Sequence, residues 1–420
     1  MTLQEALITT FERNPKMQAN EKRLEEVRLH AKAAWEDLWP SFSLNYSVYQ
    51  GRSKYEIDGE TYGPYTEKML NGSAGVDITV FNPGRAARAR AADVEVQMQT
   101  AIYNSTQPFI ENTKGALASE VQETYSAVLM FRQLITVTDE LLAILQVFAD
   151  HANTGEEKNR VQESINSTRA SRMGIEVPLN TYSRTFNHLV TIDAPEQLSS
   201  FDEIIESLRI PGSIDDAIVI GMTNSPNLKV KAFAIERARH TYDAKWAETW
   251  LPRVYLSLSS GHSYTSMMGQ EAVSRGPSAM LNFSWSFSVS DRTRLEASRV
   301  NQEAVELDLR GLERDLKHKL GNLYERYHGY ARKDLLLLSN LEEVRMNMRA
   351  FLERIKRDED VDLVKDGLVL LQNLSNAYRE VIDNKSQLVD MKFEIQKSIG
   401  SLFEDANMHV YGNPYGRVAP

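Results

Sequence analysis

The chain has 420 residues and a formal net charge of -10, which argues against nucleic acid as a partner, because phosphate binding needs clustered Lys and Arg. It contains no cysteine, which excludes thiol chemistry, thiolate metal sites and lipid attachment through an N-terminal cysteine. Hydrophobic residues make up 42%, yet no run approaches the roughly 18 uninterrupted apolar residues that a membrane-spanning helix needs.

Thr2 to Arg13 reads as a short helix opened by a capping box, Thr2 with Glu5 three residues on. Asn14-Pro15 makes a break, Lys16 to Trp39 has helical periodicity, and Pro40 ends it. Residues 41 to 50 then alternate. Phe42, Leu44, Tyr46 and Val48 face one way and Ser43, Asn45 and Ser47 the other, the pattern of a half-buried strand. Gly51 to Leu70 is polar and rich in Tyr and Gly, with turn signals at Asp58-Gly59 and Gly63-Pro64, so it reads as a loop before a second alternating strand at 74 to 81. A helical stretch over about 83 to 150 follows, then the polar break Asn153 to Glu157 and a returning helix.

The plan then repeats. Thr2 to Trp39 runs in register with Ser213 to Trp250 at a constant offset of 211: Ala6 matches Ala217, Asn14-Pro15 matches Ser225-Pro226, and Trp35 and Trp39 match Trp246 and Trp250. Further on, Val76 to Phe81 lies over Leu281 to Ser286 at an offset of 205, and Arg85 over Arg292 at 207. Ser213 with Asp216 repeats the first cap, and Pro252 repeats the stop at Pro40. Strands are expected at about 253 to 260 and 279 to 287, with Gly261 to Gly276 as the loop between them; Leu281, Phe283, Trp285 and Phe287 share one face. A helix over about 290 to 356, a break at Arg357 to Asp362 and a returning helix complete the copy. The chain therefore divides into two similar repeats, 1 to 208 with a helical tip near 153 to 158, and 209 to 420 with a tip near 357 to 363.

About 65 continuous helical residues would make a rod of roughly 100 Å, too long to fold back into an ordinary globule. Rods of this kind pair as coiled coils, and a non-channel coiled-coil scaffold or adaptor is the contrasting reading. The strands decide against it. About ten residues with alternating faces suit a tilted strand in a bilayer, but four strands cannot close a barrel, and an open edge in lipid leaves backbone groups unpaired at several kcal/mol each. Several copies must share one barrel.

The duplicated order of helix, helix, strand, strand, long helix and returning helix resembles the TolC-like family of trimeric outer-membrane channels. The local signatures are Leu3-Gln4-Glu5-Ala6-Leu7 through Asn14-Pro15, echoed by Ile214-Asp215-Asp216-Ala217-Ile218 through Ser225-Pro226. Trp39-Pro40 and Trp250-Leu251-Pro252 look like the family's helix-to-strand junctions, and Phe81-Asn82-Pro83-Gly84-Arg85 looks like its turn into the long helix. The second such junction departs from this pattern, reading Val289-Ser290-Asp291-Arg292. The resemblance implies a mainly α fold with a membrane β-barrel: a homotrimer with a shared barrel of twelve strands, and long helical hairpins forming an α-barrel across the periplasm. The location it implies is the Gram-negative outer membrane. Its implied partners are outer-membrane lipid, a periplasmic adaptor and an inner-membrane ABC or proton-driven transporter that energises a passive exit duct, for type I secretion of proteins or efflux of small molecules. His188 to Pro195 is similar to the end of the first half in secretion-type members, which leans toward protein export. The C-terminal segment would be equatorial.

On this reading Phe42, Leu44, Tyr46, Leu281, Phe283, Trp285 and Phe287 contact lipid, and the two polar stretches are extracellular loops. At the second tip Asp358, Asp362 and Asp366 fall at i, i+4 and i+8, so a helix would put them on one stripe. Three copies would turn the stripe into rings of carboxylates that attract cations at a periplasmic aperture. Asp366 falls where relatives carry an aperture-lining aspartate, whereas Asp362 rests on spacing alone. Arg354, Arg357 and Lys365 are candidates to clamp neighbouring helices through these carboxylates, at about 0–1 kcal/mol for each exposed pair. Acidic residues at a helix start equally complement the helix dipole in a solvated turn.

No catalytic, cofactor or metal site emerges. The eight His are scattered, with no HExxH spacing, Gly-rich phosphate loop or GxSxG elbow. His318 and His328 read as surface residues, and Tyr324, Tyr327 and Tyr330 as packing.

Overall fold

The computed structural model describes residues 1–105, 113–191, 197–267, 270–357 and 361–402. In chain order these form α1 (Leu3–Arg13), α2 (Pro15–Glu36), β1 (Ser41–Ile57), β2 (Glu60–Phe81), α3 (Pro83–Tyr103), α4 (Lys114–His151), α5 (Gly155–Val190) and α6 (Phe201–Ser207). Then come α7 (Ile214–Asn224), α8 (Pro226–Trp250), β3 (Arg253–Met267), β4 (Gln270–Ser284), α9 (Val289–Lys356), a π turn (Leu363–Gly367) and α10 (Leu368–Ile399). The order helix, helix, strand, strand occurs twice, as α1, α2, β1, β2 and as α7, α8, β3, β4.

Local chemistry sets the helix starts. Thr2 Oγ1 accepts from the Glu5 N–H at 3.1 Å while Glu5 Oε2 accepts from the Thr2 N–H at 2.8 Å, a complete capping box. In the copy, Ser213 Oγ accepts from the Asp216 N–H at 3.1 Å and donates to Asp216 Oδ2 at 2.7 Å. Aspartate is one methylene shorter than glutamate, and here it meets the hydroxyl. At α3, Asn82 Oδ1 accepts from the Arg85 N–H at 3.2 Å with Pro83 in the first helical position, where its missing N–H costs nothing. At α9 the Ser288 N–H donates to Asp291 Oδ2 at 2.9 Å, so Asp291 anchors a start that lacks a glycine turn.

Two expectations are corrected. The stretch over 83 to 150 is two helices: α3 ends at Tyr103, and α4 starts afresh with Thr113 Oγ1 accepting from the Ala116 N–H at 3.1 Å. The intervening sequence contains Pro108, which lacks the N–H that a continuous helix would need. The strands, in turn, run far beyond their apolar alternation. β1 and β2 stay paired from Ser41↔Asp77 to Ile57↔Glu60, and the expected loop Gly51 to Leu70 shrinks to the turn Asp58-Gly59, with φ of 53° and 85°. Positive φ at both positions is what a two-residue hairpin turn demands. Most of Gly261 to Gly276 is likewise ladder, as β3 and β4 pair from Arg253↔Ser284 to Met267↔Gln270.

The chain forms two compact units, each drawing on both repeats. One comprises Met1–Lys22, Ala101–Lys229 and Arg310–Pro420. Its core joins Leu7 of α1, Val121 and Tyr125 of α4, Phe186 of α5 and Phe393 of α10, all buried. Each such side chain contributes about 1.5–3 kcal/mol. Tyr125 also ties chain segments together, donating to the Met1 carbonyl at 2.7 Å and accepting from the Ser199 N–H at 2.9 Å. Gly400 ends α10 at φ 81°, where a Cβ would lie 2.6 Å from the Asn224 carbonyl oxygen.

The second unit comprises Arg23–Thr100 and Val230–Leu309. It holds the sheet, in the order β1-β2-β3-β4 with every neighbour antiparallel, and the helical segments that lead into it. Those segments are joined by the ion pairs Arg88–Glu248, Arg237–Glu95 at 2.8 Å and Lys231–Asp308 at 2.9 Å.

Candidate functional site: the sheet faces and the helical tips

Register divides the sheet into two chemically distinct faces. Rows such as Phe42–Val76–Leu258–Ala279 and Val48–Leu70–Tyr264–Val273 are apolar. The alternate rows, such as Ser43–Gly75–Ser259–Ser278 and Ser47–Asn71–Ser263–Ser274, are small and polar. On the polar face Ser257 donates to Asp77 Oδ1 at 2.6 Å, Ser263 donates to Asn71 Oδ1 at 2.7 Å, and Ser259 and Ser278 hydroxyls lie 2.7 Å apart. On the apolar face the large side chains have no protein cover: Phe42 is 82% exposed, Leu44 85% and Phe283 70%, with Tyr46 and Leu281 also exposed. A contiguous face of this kind is an interaction surface, unlike scattered surface hydrophobes. Among the described residues β1 and β4 are the two edges of the sheet, each presenting a row of backbone groups with no neighbouring strand.

Trp285 and Phe287 are exposed as expected, but they are not strand residues. β4 stops at Ser284, because its partner β3 begins at Arg253 and the preceding Pro252 has no N–H to extend the ladder. Trp285 Nε1 instead donates to the Thr249 carbonyl at 3.3 Å, and the Phe287 ring lies 5.3 Å from that of Trp250.

The two helical tips belong to the other unit. At the first, Thr154 Oγ1 accepts from the Glu157 N–H at 3.2 Å, and Glu157 Oε2 accepts from the N–H groups of Asn153 and Thr154, each at 3.0 Å. The Thr154 N–H above all holds the Glu157 carboxyl below its ordinary range, while the Asp362 carboxylate of the second tip acts in the opposite sense. Carboxylates of both tips thus feel each other within one chain.

At the second tip, Asp358 lies outside the described residues. Asp362 is extended at φ -85° and ψ 99°, and its Oδ1 accepts from the N–H groups of Val364 at 3.1 Å and Lys365 at 2.8 Å. It is therefore a helix cap, and it does not share a helical stripe with Asp366, which lies inside the π turn; both are exposed. The turn places Gly367 against the edge-to-face pair Phe148 and Phe351, whose centroids are 5.8 Å apart. Arg354, Arg357 and Lys365 are exposed. Lys365 meets Asp362 through its backbone N–H, and Glu353 and Lys356 form an ion pair at this tip at 2.9 Å. Lys356 first, and Arg357 more weakly, hold the Glu353 carboxyl below its ordinary range.

Among the described residues no helix is long and apolar enough to cross a membrane, and no group of three His, Cys, Asp or Glu side chains is placed to hold a metal ion.

No protein-family model matches the chain, and no curated protein matches it in sequence. Solved structures do match it. The open state of the Neisseria gonorrhoeae MtrE outer-membrane channel aligns over 95% of this chain and 89% of its own, with TM-score 0.71 and 14% identity. The Vibrio cholerae outer-membrane protein VceC covers 95% and 96%, with TM-score 0.69 and 13% identity, and the Campylobacter jejuni CmeC outer-membrane channel 97% and 90%, with TM-score 0.71 and 11% identity. The chain has the fold of the TolC-like outer-membrane channels.

Within this TolC-like fold a polar cluster escapes sequence reading. Arg345 of α9 donates through Nε to the Tyr378 hydroxyl of α10 at 2.9 Å, and Tyr378 donates to Glu140 Oε2 of α4 at 2.8 Å. The Arg345 guanidinium also lies 5.0 Å from the Tyr378 ring centroid. Burial, and then the Glu140 hydrogen bond, push the Tyr378 phenol above its ordinary range. No spacing links residues so far apart in the chain.

Proposed function

We propose that the protein is a passive exit duct of the Gram-negative outer membrane, a homotrimer whose twelve strands form one shared β-barrel and whose helical hairpins form an α-barrel extending into the periplasm. One observation carries this reading: a sheet with an uncovered apolar face, a polar face and two open edges, in a chain that aligns end to end with outer-membrane channels. Unpaired edges in lipid cost several kcal/mol per backbone group, and pairing β4 of one copy with β1 of the next removes them all. A coiled-coil scaffold has no use for such a sheet.

Lipid contacts Phe42, Leu44, Tyr46, Leu281 and Phe283, with Trp285 and Phe287 at the helix junction. The tips carrying Asp362 and Asp366, flanked by Arg354, Arg357 and Lys365, form the periplasmic aperture. A periplasmic adaptor connects the duct to an inner-membrane ABC or proton-driven transporter, which supplies the energy for exporting proteins, small molecules or both. The motif that leans toward protein export, His188 to Pro195, lies partly outside the described residues. The deciding experiment is purification followed by planar-bilayer recording. A detergent-bound trimer with discrete conductance steps is expected, and a folded, detergent-free monomer would end the reading.

A further inference from the structure

The apolar face of the sheet contains one discordant row. Six registered rows, from Phe81–Val254–Phe283 to Val48–Leu70–Tyr264–Val273, hold a single formally charged side chain, Arg275, in the row Tyr46–Gly72–His262–Arg275. Eight residues of β4 separate Arg275 from Phe283, roughly 27 Å along the strand and about 20 Å along the membrane normal at a tilt near 45°. An apolar band is about 25 Å tall, and the helix-connected ends of the strands mark its periplasmic rim. Arg275 therefore sits within about 5 Å of the outer rim, at the depth of outer-leaflet headgroups, where an arginine can extend its charge to the interface.

Arg275 is also organised. Its Nε donates to His262 Nδ1 at 3.0 Å, which fixes the ring as the tautomer with its proton on Nε2 and adds a neutral N–H donor beside the guanidinium. The two terminal nitrogens of the guanidinium, the fork that fits a phosphate bidentately, stay uncommitted among the described residues. Gly72 puts no side chain between Tyr46 and His262, and a shallow concavity lined by Leu44, Tyr46, Ser260, His262 and Arg275 opens there. No protein carboxylate is at hand. Glu271 is two rows outward, and on the β1 edge that a second copy would present, the residues of this face from Phe42 to Arg52 include no carboxylate.

We propose that Arg275 and His262 form an outward-facing binding site for the phosphate of an outer-leaflet lipid headgroup, with acyl chains against Leu44 and Tyr46. The inference rests on the membrane reading above. It is tested with trimer reconstituted into phosphatidylcholine vesicles containing either diphosphorylated lipid A or its dephosphorylated form, followed by mass spectrometry of lipid retained after delipidation. Wild type should retain the phosphorylated form about tenfold or more over the other, as expected for loss of a charge-assisted bidentate contact. Arg275→Gln with His262→Gln should erase the preference, Arg275→Lys should keep part of it, and Arg253→Gln on the opposite face should keep it whole. A double variant that inserts and conducts like wild type yet retains the phosphorylated lipid equally would overturn the site and leave the channel standing. A wild type that does not enter vesicles would overturn the membrane reading and the site with it.

Discussion

Tyr378 donates its phenolic proton to Glu140 across 238 residues of sequence, at 2.8 Å, while accepting from Arg345 at 2.9 Å. One hydroxyl thus joins α4, α9 and α10. Tyr378→Phe should remove both bonds and destabilise the fold by about 0.5–1.5 kcal/mol for each bond lost. Because the folded phenol titrates above its ordinary value of about 10, its contribution is complete below that pH and disappears as pH rises through the folded value. Thermal unfolding followed upward from pH 9 should therefore show a steeper alkaline loss above about pH 10 in wild type than in the Phe variant. Identical pH profiles would remove the network from the stability account.

Gly367 is held for steric reasons. Its backbone is right-handed helical, so alanine fits the dihedrals, but a Cβ would meet Phe351 at 3.0 Å and Phe148 at 3.1 Å. Overpacking of about 1–3 kcal/mol should outweigh a helix-propensity gain of up to about 1 kcal/mol. Gly367→Ala should lower the unfolding temperature, and adding Phe351→Leu should recover part of the loss. A Gly367→Ala protein more stable than wild type would show that the ring pair yields without cost.

Glu157 titrates below its ordinary range, so the capping box at the first tip is intact above a glutamate's usual pKa of about 4.3 and is lost as pH falls through the lower, folded value. Amide exchange at residues 153 to 158 should quicken as pH falls below about 4.3, after correction for intrinsic rates. Glu157→Gln should remove that step. A wild type without it would place the shift elsewhere.

Asp362 is both a cap and a candidate aperture charge, and the two roles separate cleanly. Asp362→Asn keeps a capping oxygen, whereas Asp362→Ala loses about 0.5–2 kcal/mol of helix-start stability. If the charge guards the aperture, the double variant Asp362→Asn, Asp366→Asn should lower cation selectivity and block by multivalent cations in planar bilayers, with little change in unfolding temperature. Full retention of block would move the ring away from these residues.

The sheet faces predict an asymmetric response to charge. If the apolar face meets lipid, Phe283→Arg should impair trimer assembly, with a cost rising to about 2–4 kcal/mol for Leu258→Arg nearer the middle of that face. Ser278→Arg, on the polar face, should assemble and alter conductance instead. Equal yields of trimer from Leu258→Arg and Ser278→Arg would take the sheet out of the membrane.

Sequence alone determined the duplication, the caps, the proline stops and the identity of the two sheet faces, because each is written in neighbouring residues: Thr2 with Glu5, Trp39 before Pro40, Phe42 alternating with Ser43. It also exposed the central difficulty, four amphipathic strands that cannot close. Tertiary structure decided what local pattern does not encode. Apolar alternation marks where a strand meets an apolar phase and is silent on where backbone pairing ends, so Gly51 to Leu70 looked like a loop although its ladder continues to Ile57↔Glu60. The same pattern carried Trp285 and Phe287 into a strand that stops at Ser284 for want of a partner beyond Pro252. The spacing of Asp358, Asp362 and Asp366 assumed a helix, yet Asp362 satisfies the N–H groups of Val364 and Lys365 and so must stand outside one. Tyr378 with Glu140 exists only once distant segments are brought side by side, and His262 with Arg275 only once the β3–β4 register is set, because a hydrogen bond depends on distance in space and a sequence records only order along the chain.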